Sequence, residues 1–366
     1  MNNGRLILTD AKPGGHLTDF FDYKKIDFQF LPKSPGTPLV DVISDRISGK
    51  DDVVLILGNM DNTLTSSLDD LYGQVSEYGN DFIKLCSKVK LVLHNDNSDI
   101  ILYLTGKDKP FTEWLNNLKP FILCDGKPGQ RLRTEFKDCQ FIEFFYPFLQ
   151  NSITLPEIGI LKNHQPKKDY LCLMTDKSNR PFRRLLNEQI VSKGLEDSMI
   201  YKFNKKTETL DDLKLSYQDK ILGRLTNTGQ FLPSIEFYNQ TNIEIATEGI
   251  SRDYDDSFDP TEKTTKPIAM KHPFMMLANR HFLKNLRSLG FKTFHDHFDE
   301  SYDDESLVSK RIEIITNNMI GLRGNTFQVY QDTKEIREHN HLNLQRCGGE
   351  WKTNLWKTID EFWKNI

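Results

Sequence analysis

The side chains best suited to handling a polyanion lie in two short stretches. In Thr261–Leu277, TEKTTKPIAMKHPFMML, the acid–base pair Glu262-Lys263 is followed by Lys266. Asp259-Pro260 precedes it, so Thr261 is placed to cap a short helix whose first turn holds Glu262 and Lys263. Pro267 should end or kink that helix. Free backbone N–H groups at a helix start attract anions, and the two lysines add charge. Glu262 could accept hydrogen bonds from vicinal hydroxyls such as those of a ribose. The combination suits a nucleoside diphosphate; the alternative is an ordinary solvated helix start. In the second stretch, Arg180–Val191, Pro181 stands where a first helical residue is tolerated, and Arg180, Arg183 and Arg184 crowd the start. Cations there oppose the helix dipole, and an anion bound between them removes the conflict. Arg180 and Arg183 are the expected contacts, with Arg184 turned to solvent; a solvated basic helix is the alternative.

Positioning these groups requires strands that stop just before them. Tyr170–Met174, Ser198–Phe203, Ile243–Thr247, Phe274–Leu277 and Phe291–Phe294 read as strands of the second half. Glu244 and Glu248 flank the end of the Ile243–Thr247 run. Helices are expected over Leu210–Gly223, Arg280–Leu289 (closed by Gly290) and Ser306–Asn318. The acidic, turn-rich loop Gly249–Pro260 is read as a mobile lid or a plain surface loop. His295-Asp296-His297 has no third ligand at a useful spacing, so no metal site is expected.

The first half alternates strand and helix for about 150 residues, the pattern of an α/β domain with a mainly parallel sheet. Its strands are read at Arg5–Asp10, Ile26–Leu31, Val53–Gly58, Lys90–His94, Ile100–Thr105, Pro120–Cys124 and Cys139–Tyr146. Leu17–Tyr23, Leu68–Leu85 and Phe111–Leu118 read as helices. Val53–Gly58, VVLILG, is a continuous apolar run between Asp51-Asp52 and Gly58-Asn59, as expected for a strand covered on both faces. Open α/β sheets place ligands at the carboxyl ends of strands. Asp10, His16 and Asp19 follow the first strand, and Asp61 follows Val53–Gly58. A plain tight turn at Pro13-Gly14-Gly15 is the alternative. Leu155–Lys168, with two prolines and no clear period, reads as an interdomain linker. Trp351–Ile366 is amphipathic, with Leu355, Ile359, Phe362, Trp363 and Ile366 in one stripe.

Composition narrows the class. Charged residues are 27% and hydrophobic ones 37%, a soluble globular balance, and 366 residues suffice for two domains. A net charge of −4 argues against a large nucleic-acid surface but leaves room for a local basic patch. The five cysteines, Cys86, Cys124, Cys139, Cys172 and Cys347, show no CxxC spacing and read as reduced core residues. No signal-peptide pattern opens the chain, and no apolar run approaches the roughly 18–20 residues of a membrane span. A cytoplasmic monomer acting away from membranes is expected.

Thr261–Leu277 resembles the donor-site segment of GT-B glycosyltransferases with a fucosyltransferase-like donor domain, and that of phage-encoded, DNA-modifying sugar transferases. Leu283–Asp303, LKNLRSLGFKTFHDHFDESYD, is similar to the helix, GF-K-T-F and acidic loop that follow it there. Tyr170–Leu186, YLCLMTDKSNRPFRRLL, is similar to the strand and Arg-bearing helix that open the donor domain. The likeness spans about residues 166–320. It implies two Rossmann-like domains facing a cleft: an acceptor-binding domain over 1–160, a nucleotide-sugar-binding domain over 167–345, and a helix over 350–366 packing back on the first. The implied activity is transfer from a UDP- or GDP-linked sugar to an acceptor hydroxyl, without metal or cofactor. Arg180, Arg183, Glu248, Glu262, Lys263, Thr264 and Lys266 would bind the donor, with Glu248 orienting it. The general base would come from His16, Asp19, Asp10 or Asp61. The implied acceptor is hydroxymethylated pyrimidine in double-stranded DNA, which Lys127, Arg131, Arg133, Lys162, Lys167 and Lys168 would contact. A glycan or protein acceptor is the rival, and a non-catalytic nucleotide-sugar-binding protein is the reading from another class. A phage-encoded enzyme would work in the host cytoplasm.

Overall fold

The computed structural model describes residues 6–9, 29–30, 53–58, 89–94, 107–144, 164–174, 180–203 and 235–365, with Asp41, Ile43, Asp45, Arg46, Tyr72 and Leu104. The chain divides into two compact units, Met1–Tyr146 with Asn354–Ile366, and Pro147–Thr353.

The first unit is built on six strands: β1 (Leu6–Thr9), β2 (Gln29–Phe30), β3 (Val53–Gly58), β4 (Val89–His94), β5 (Phe121–Asp125) and β6 (Gln140–Phe144), in the order β2-β1-β3-β4-β5-β6. All pairs are parallel. Val53 to Leu57 are each at most 2% exposed, because β1 and β4 flank β3 and both its faces are covered. Helix α1 (Lys109–Leu118) starts where the Asp108 carboxylate accepts from the Phe111 N–H at 2.9 Å, and ends at Lys119 in the left-handed region, φ 51°. Its buried Phe111 and Trp114 pack with Tyr72 at centroid distances of 5.2 and 5.3 Å. Helix α2 (Gln130–Glu135) precedes β6.

The second unit carries β7 (Lys168–Met174), β8 (Met199–Phe203), β9 (Thr241–Thr247) and β10 (Phe274–Leu277), in the order β10-β9-β7-β8, again all parallel. Its helices are α3 (Pro181–Ser192), α4 (Ile235–Asn239), α5 (Glu262–Ala269), α6 (Phe282–Ser288), α7 (Val308–Gly321) and α8 (Thr326–Asp332). β9 is buried along its whole length although it contains Thr241, Asn242 and Glu244. Each of these finds a partner: Thr241 donates to the Phe237 carbonyl, Asn242 to Thr326, and Tyr238 donates to Glu244. The last helix, α9 (Lys334–Asn365), runs for 32 residues, and its buried Phe362 packs edge-on against Phe121 at 5.0 Å.

Several elements differ from expectation. Leu104 is helical and buried, not part of a strand over Ile100–Thr105; a short apolar run fits either period. Phe291–Phe294 forms no strand. Asn340 brackets Lys292 by bonding both its N–H and its carbonyl, and Glu300 accepts from the Phe294 N–H, so side chains replace a ladder there. Pro267 lies inside α5, which continues to Ala269. The acidic loop 249–260 is stapled rather than lid-like. Arg311, 1% exposed, donates to the Arg252 and Glu305 carbonyls, and Asp253 accepts from the Val308 N–H. The expected helices over Leu17–Tyr23 and Leu210–Gly223 lie outside the described residues, as does Cys86; of Leu68–Leu85 only Tyr72 is described, and it is helical. Cys124, Cys139, Cys172 and Cys347 are buried.

Candidate functional site

β8 and β9, the two strands that follow β7 in the chain, lie on opposite sides of it. In an open parallel sheet that reversal opens a crevice at the carboxyl ends of the two diverging strands. At this edge β9 runs into Glu248 and Gly249, while the chain after β7 leads to Arg180 and helix α3.

Glu248 organises the edge. It is 1% exposed. One carboxylate oxygen, Oε1, accepts from the Thr261 N–H at 3.0 Å and from the Thr264 hydroxyl; Oε2 accepts from the Thr261 hydroxyl at 2.6 Å and the Gly249 N–H at 3.1 Å. The carboxylate thereby ties the end of β9 to the first turn of α5, where Thr261 also caps the Lys263 N–H. Both oxygens of the carboxylate are thus committed to Gly249, Thr261 and Thr264, and it orients the two threonine hydroxyls.

The two arginines reach the same place from α3. Arg180 Nη1 donates to the Gly249 carbonyl at 2.5 Å. Arg183, 4% exposed, donates to the carbonyls of Thr247 and Glu248 at 3.2 and 2.9 Å. Burial, with Arg180 beside it, pulls the Arg183 guanidinium down to about 10, so it stays charged at neutral pH. A Cβ on Gly249 would lie 3.3 Å from Arg180 Nη1, 3.7 Å from Asp259 Oδ2 and 3.9 Å from Thr261 Cγ2. Arg180, Asp259 and the α5 cap therefore crowd a single point, and the residue there has no side chain.

On α5, Lys263 Nζ contacts Glu262 Oε1 at 2.5 Å and Thr261 Oγ1 at 3.3 Å. Burial pushes the Glu262 carboxyl up, but Lys263 and Lys266 outweigh it and hold it below its ordinary value. Burial also lowers Lys266, against the pull of Glu262. Cations and carboxylates interleave here, so an arriving dianion must take Lys263 or an arginine from its present partner. A diol hydrogen-bonded to Glu262 would ease that exchange.

Beneath α5, Glu244 stands mid-strand in β9, not at its end as its place beside Ile243–Thr247 suggested. Burial raises its carboxyl to about 7, against the hydrogen bond from Tyr238 and the charge of Lys266. The sequence signal for this group is a carboxylate set inside the run Ile243–Thr247, IEIAT. The folded state then holds a proton that the unfolded chain, with an ordinary carboxyl, releases near pH 4.5. Stability is therefore greatest below that value and falls as pH rises toward 7. Urea unfolding of Glu244→Gln should show a flatter pH dependence over this interval than the parent chain; an unchanged slope would remove Glu244 as its cause.

The remaining sequence candidates fall elsewhere. Lys127 is exposed before α2, Arg131 pairs with Glu135 at 2.8 Å, and Arg133 is ion-paired with Glu143 and donates to the Pro128 carbonyl at 3.2 Å. Lys167 and Lys168 stand at the amino end of β7, the opposite sheet edge from Arg180, because the seven residues of β7 intervene. Asp10, His16, Asp19, Asp61 and Lys162 lie outside the described residues. Among the described residues no group of three His, Cys, Asp or Glu side chains could hold a metal ion, and no helix is long and apolar enough to cross a membrane.

No family model matches the chain, and no curated protein matches it. Among solved structures it is similar to the DNA-modifying enzyme β-glucosyltransferase, determined in the presence and absence of its substrate uridine diphosphoglucose. The identity is 11%, the match covers 97% of this chain and 99% of that one, and the TM-score is 0.41. The class defined by the chain's own structure is a mixed α/β protein with two parallel sheets.

Proposed function

We propose that this protein is a nucleotide-sugar-dependent glycosyltransferase of the GT-B kind. The supporting observation is the meeting of the α3 and α5 starts, with Arg180, Arg183, Lys263 and Lys266, around Glu248 and Gly249 at the reversal point of the second sheet. In this reading the donor diphosphate lies at those helix starts, and Glu262 accepts from the ribose hydroxyls. The acceptor oxygen attacks the sugar's anomeric carbon as the bond to the diphosphate oxygen breaks. The acceptor proton passes to a base, and the negative charge passes to the diphosphate, where fixed cations stabilise it. The base comes from the first unit, from His16, Asp19, Asp10 or Asp61, and needs a pKa suited to accepting that proton. The acceptor is a hydroxymethylated pyrimidine of DNA, a base that leaves the duplex stack to react. Lys127, Arg131 and Arg133 contribute phosphate contacts. No metal or cofactor takes part.

A thermal-shift panel of UDP- and GDP-sugars tests the donor, followed by transfer of labelled sugar to hydroxymethylcytosine duplex, unmodified duplex and free glycans. A raised melting temperature with one nucleotide class, and label on the modified duplex alone, is expected. His16→Ala or Asp19→Ala should bind the donor without turning it over. Failure of every nucleotide sugar to stabilise the chain would end the donor assignment. Binding with no transfer to any acceptor would leave a non-catalytic binding protein.

A further inference from the structure

A second feature lies at the amino edge of the same sheet, where β7 and β9 begin: a cavity of about 590 Å³ lined by Lys167, Lys168, Asp169, Asn242, Thr326 and Phe327 among others. That volume falls in the range of small-molecule sites. Asn242 is 4% exposed, and its Oδ1 has no hydrogen-bond partner. The neighbouring bonds fix the orientation of this amide. The Thr326 hydroxyl has one proton, which it donates to Asp169 Oδ1 at 2.5 Å, so its oxygen must accept from Asn242 Nδ2 at 3.1 Å. Oδ1 is left as an enclosed acceptor without a bond, behind the cavity lining and without surface of its own.

Beside it stands a flat apolar face. Phe327, 45% exposed, lies parallel to His164 (8° between planes, centroids 6.2 Å apart). His164 stacks on Tyr330 at 3.7 Å, and the Arg337 guanidinium covers the far ring at 3.8 Å. His164 Nε2 is in hydrogen-bond contact with the Thr241 carbonyl at 2.8 Å, which anchors the column to the start of β9. Phe327 is thus a supported ring with an accessible surface, the kind of platform on which a planar heterocycle stacks. The exposed side chains of Lys167 and Lys168 bring positive charge to the rim, although Lys168 also donates to the Asp197 carbonyl at 2.5 Å.

We propose that this cavity binds a nucleoside monophosphate, its base stacked on Phe327 and its phosphate beside Lys167. The site is distinct from the edge that holds Arg180 and Lys263, and it does not depend on the transferase reading.

Calorimetric titration of the full chain carrying Arg180→Ala and Lys263→Ala tests it, since those changes disable the other site. AMP, GMP, CMP, UMP and, as a control without a base, ribose 5-phosphate are the probes. At least one monophosphate should bind about tenfold or more tightly than ribose 5-phosphate. Adding Phe327→Ala should weaken it about tenfold or more, and Phe327→Tyr should restore it. Phe327 is half exposed, so its truncation should leave the melting temperature nearly unchanged, which serves as the folding control. The proposal is overturned by absence of binding, by equal affinity for ribose 5-phosphate, or by indifference to Phe327→Ala.

Discussion

Replacing Glu248 by alanine is expected to lower the stability of the second unit by about 3–5 kcal/mol and to abolish nucleotide binding with it. Truncation leaves the Gly249 N–H, the Thr261 N–H and the Thr261 and Thr264 hydroxyls without their acceptor. Each buried donor so abandoned costs about 1–3 kcal/mol, and partial rearrangement keeps the total below the simple sum. Loss of the carboxylate also removes a negative charge that helps keep buried Arg183 charged, adding to the penalty. Glu248→Gln is the discriminating companion. One of its two terminal atoms still accepts, so it should recover part of the stability while the α5 cap remains misaligned. Urea unfolding followed by tryptophan-independent far-UV signal measures the first quantity, and titration with UDP the second. If Glu248→Ala unfolds at the parent midpoint, the carboxylate is not the fastening of this edge.

Lys263→Ala should have the opposite signature, a large loss of binding and turnover with little loss of stability. Its pair with Glu262 is partly solvated, with side-chain exposures of 29% and 20%, so removing it should cost at most about 1 kcal/mol. A charge-assisted bond to a phosphate oxygen, by contrast, is worth about 1.5–3 kcal/mol. That corresponds to roughly 10- to 100-fold in diphosphate affinity. If the same ammonium stabilises charge developing on the leaving group, turnover should fall by about 10²–10³-fold. Arg180→Ala should behave alike and, because both groups act on one ligand, the double variant should depart from additivity. Equal losses of binding for the diphosphate and for the bare nucleoside would show that the lysine does not address phosphate. The pair of outcomes separates a residue that builds the site from one that touches its ligand.

Much of this was legible in the linear order of residues. VVLILG between two acidic residues and Gly-Asn could scarcely be anything but a doubly covered strand, and β3 is buried to within 2% exposure along Val53–Leu57. Thr261 before Glu262-Lys263 announced a capped helix, and Thr261 does accept from the Lys263 N–H. Local rules misled where a tertiary partner could replace a local bond. Pro267 is expected to end or kink its helix, and it does not end it: α5 continues to Ala269, with the Met270 N–H donating to the Lys266 carbonyl. Phe291–Phe294 has the composition of a strand, but Asn340 on α9 supplies the hydrogen bonds a ladder would have made. The 32-residue span of α9 escaped notice because its first half carries no clean apolar stripe.

What the sequence determined by itself was short-range: which segments become strands, which helix starts gather positive charge, and that Glu262 precedes Lys263 at one such start. Those features depend on neighbours within a turn or two, and side-chain type alone decides them. That Arg180 should meet Gly249, 69 residues further on, was decided only by the order of strands, with β9 laid against β7 on the side away from β8. The same placement turned Glu248 from an exposed-looking loop carboxylate into a buried acceptor of four hydrogen bonds. Strand order is set by the burial of whole faces, a property of the folded layers that no local run of residues contains.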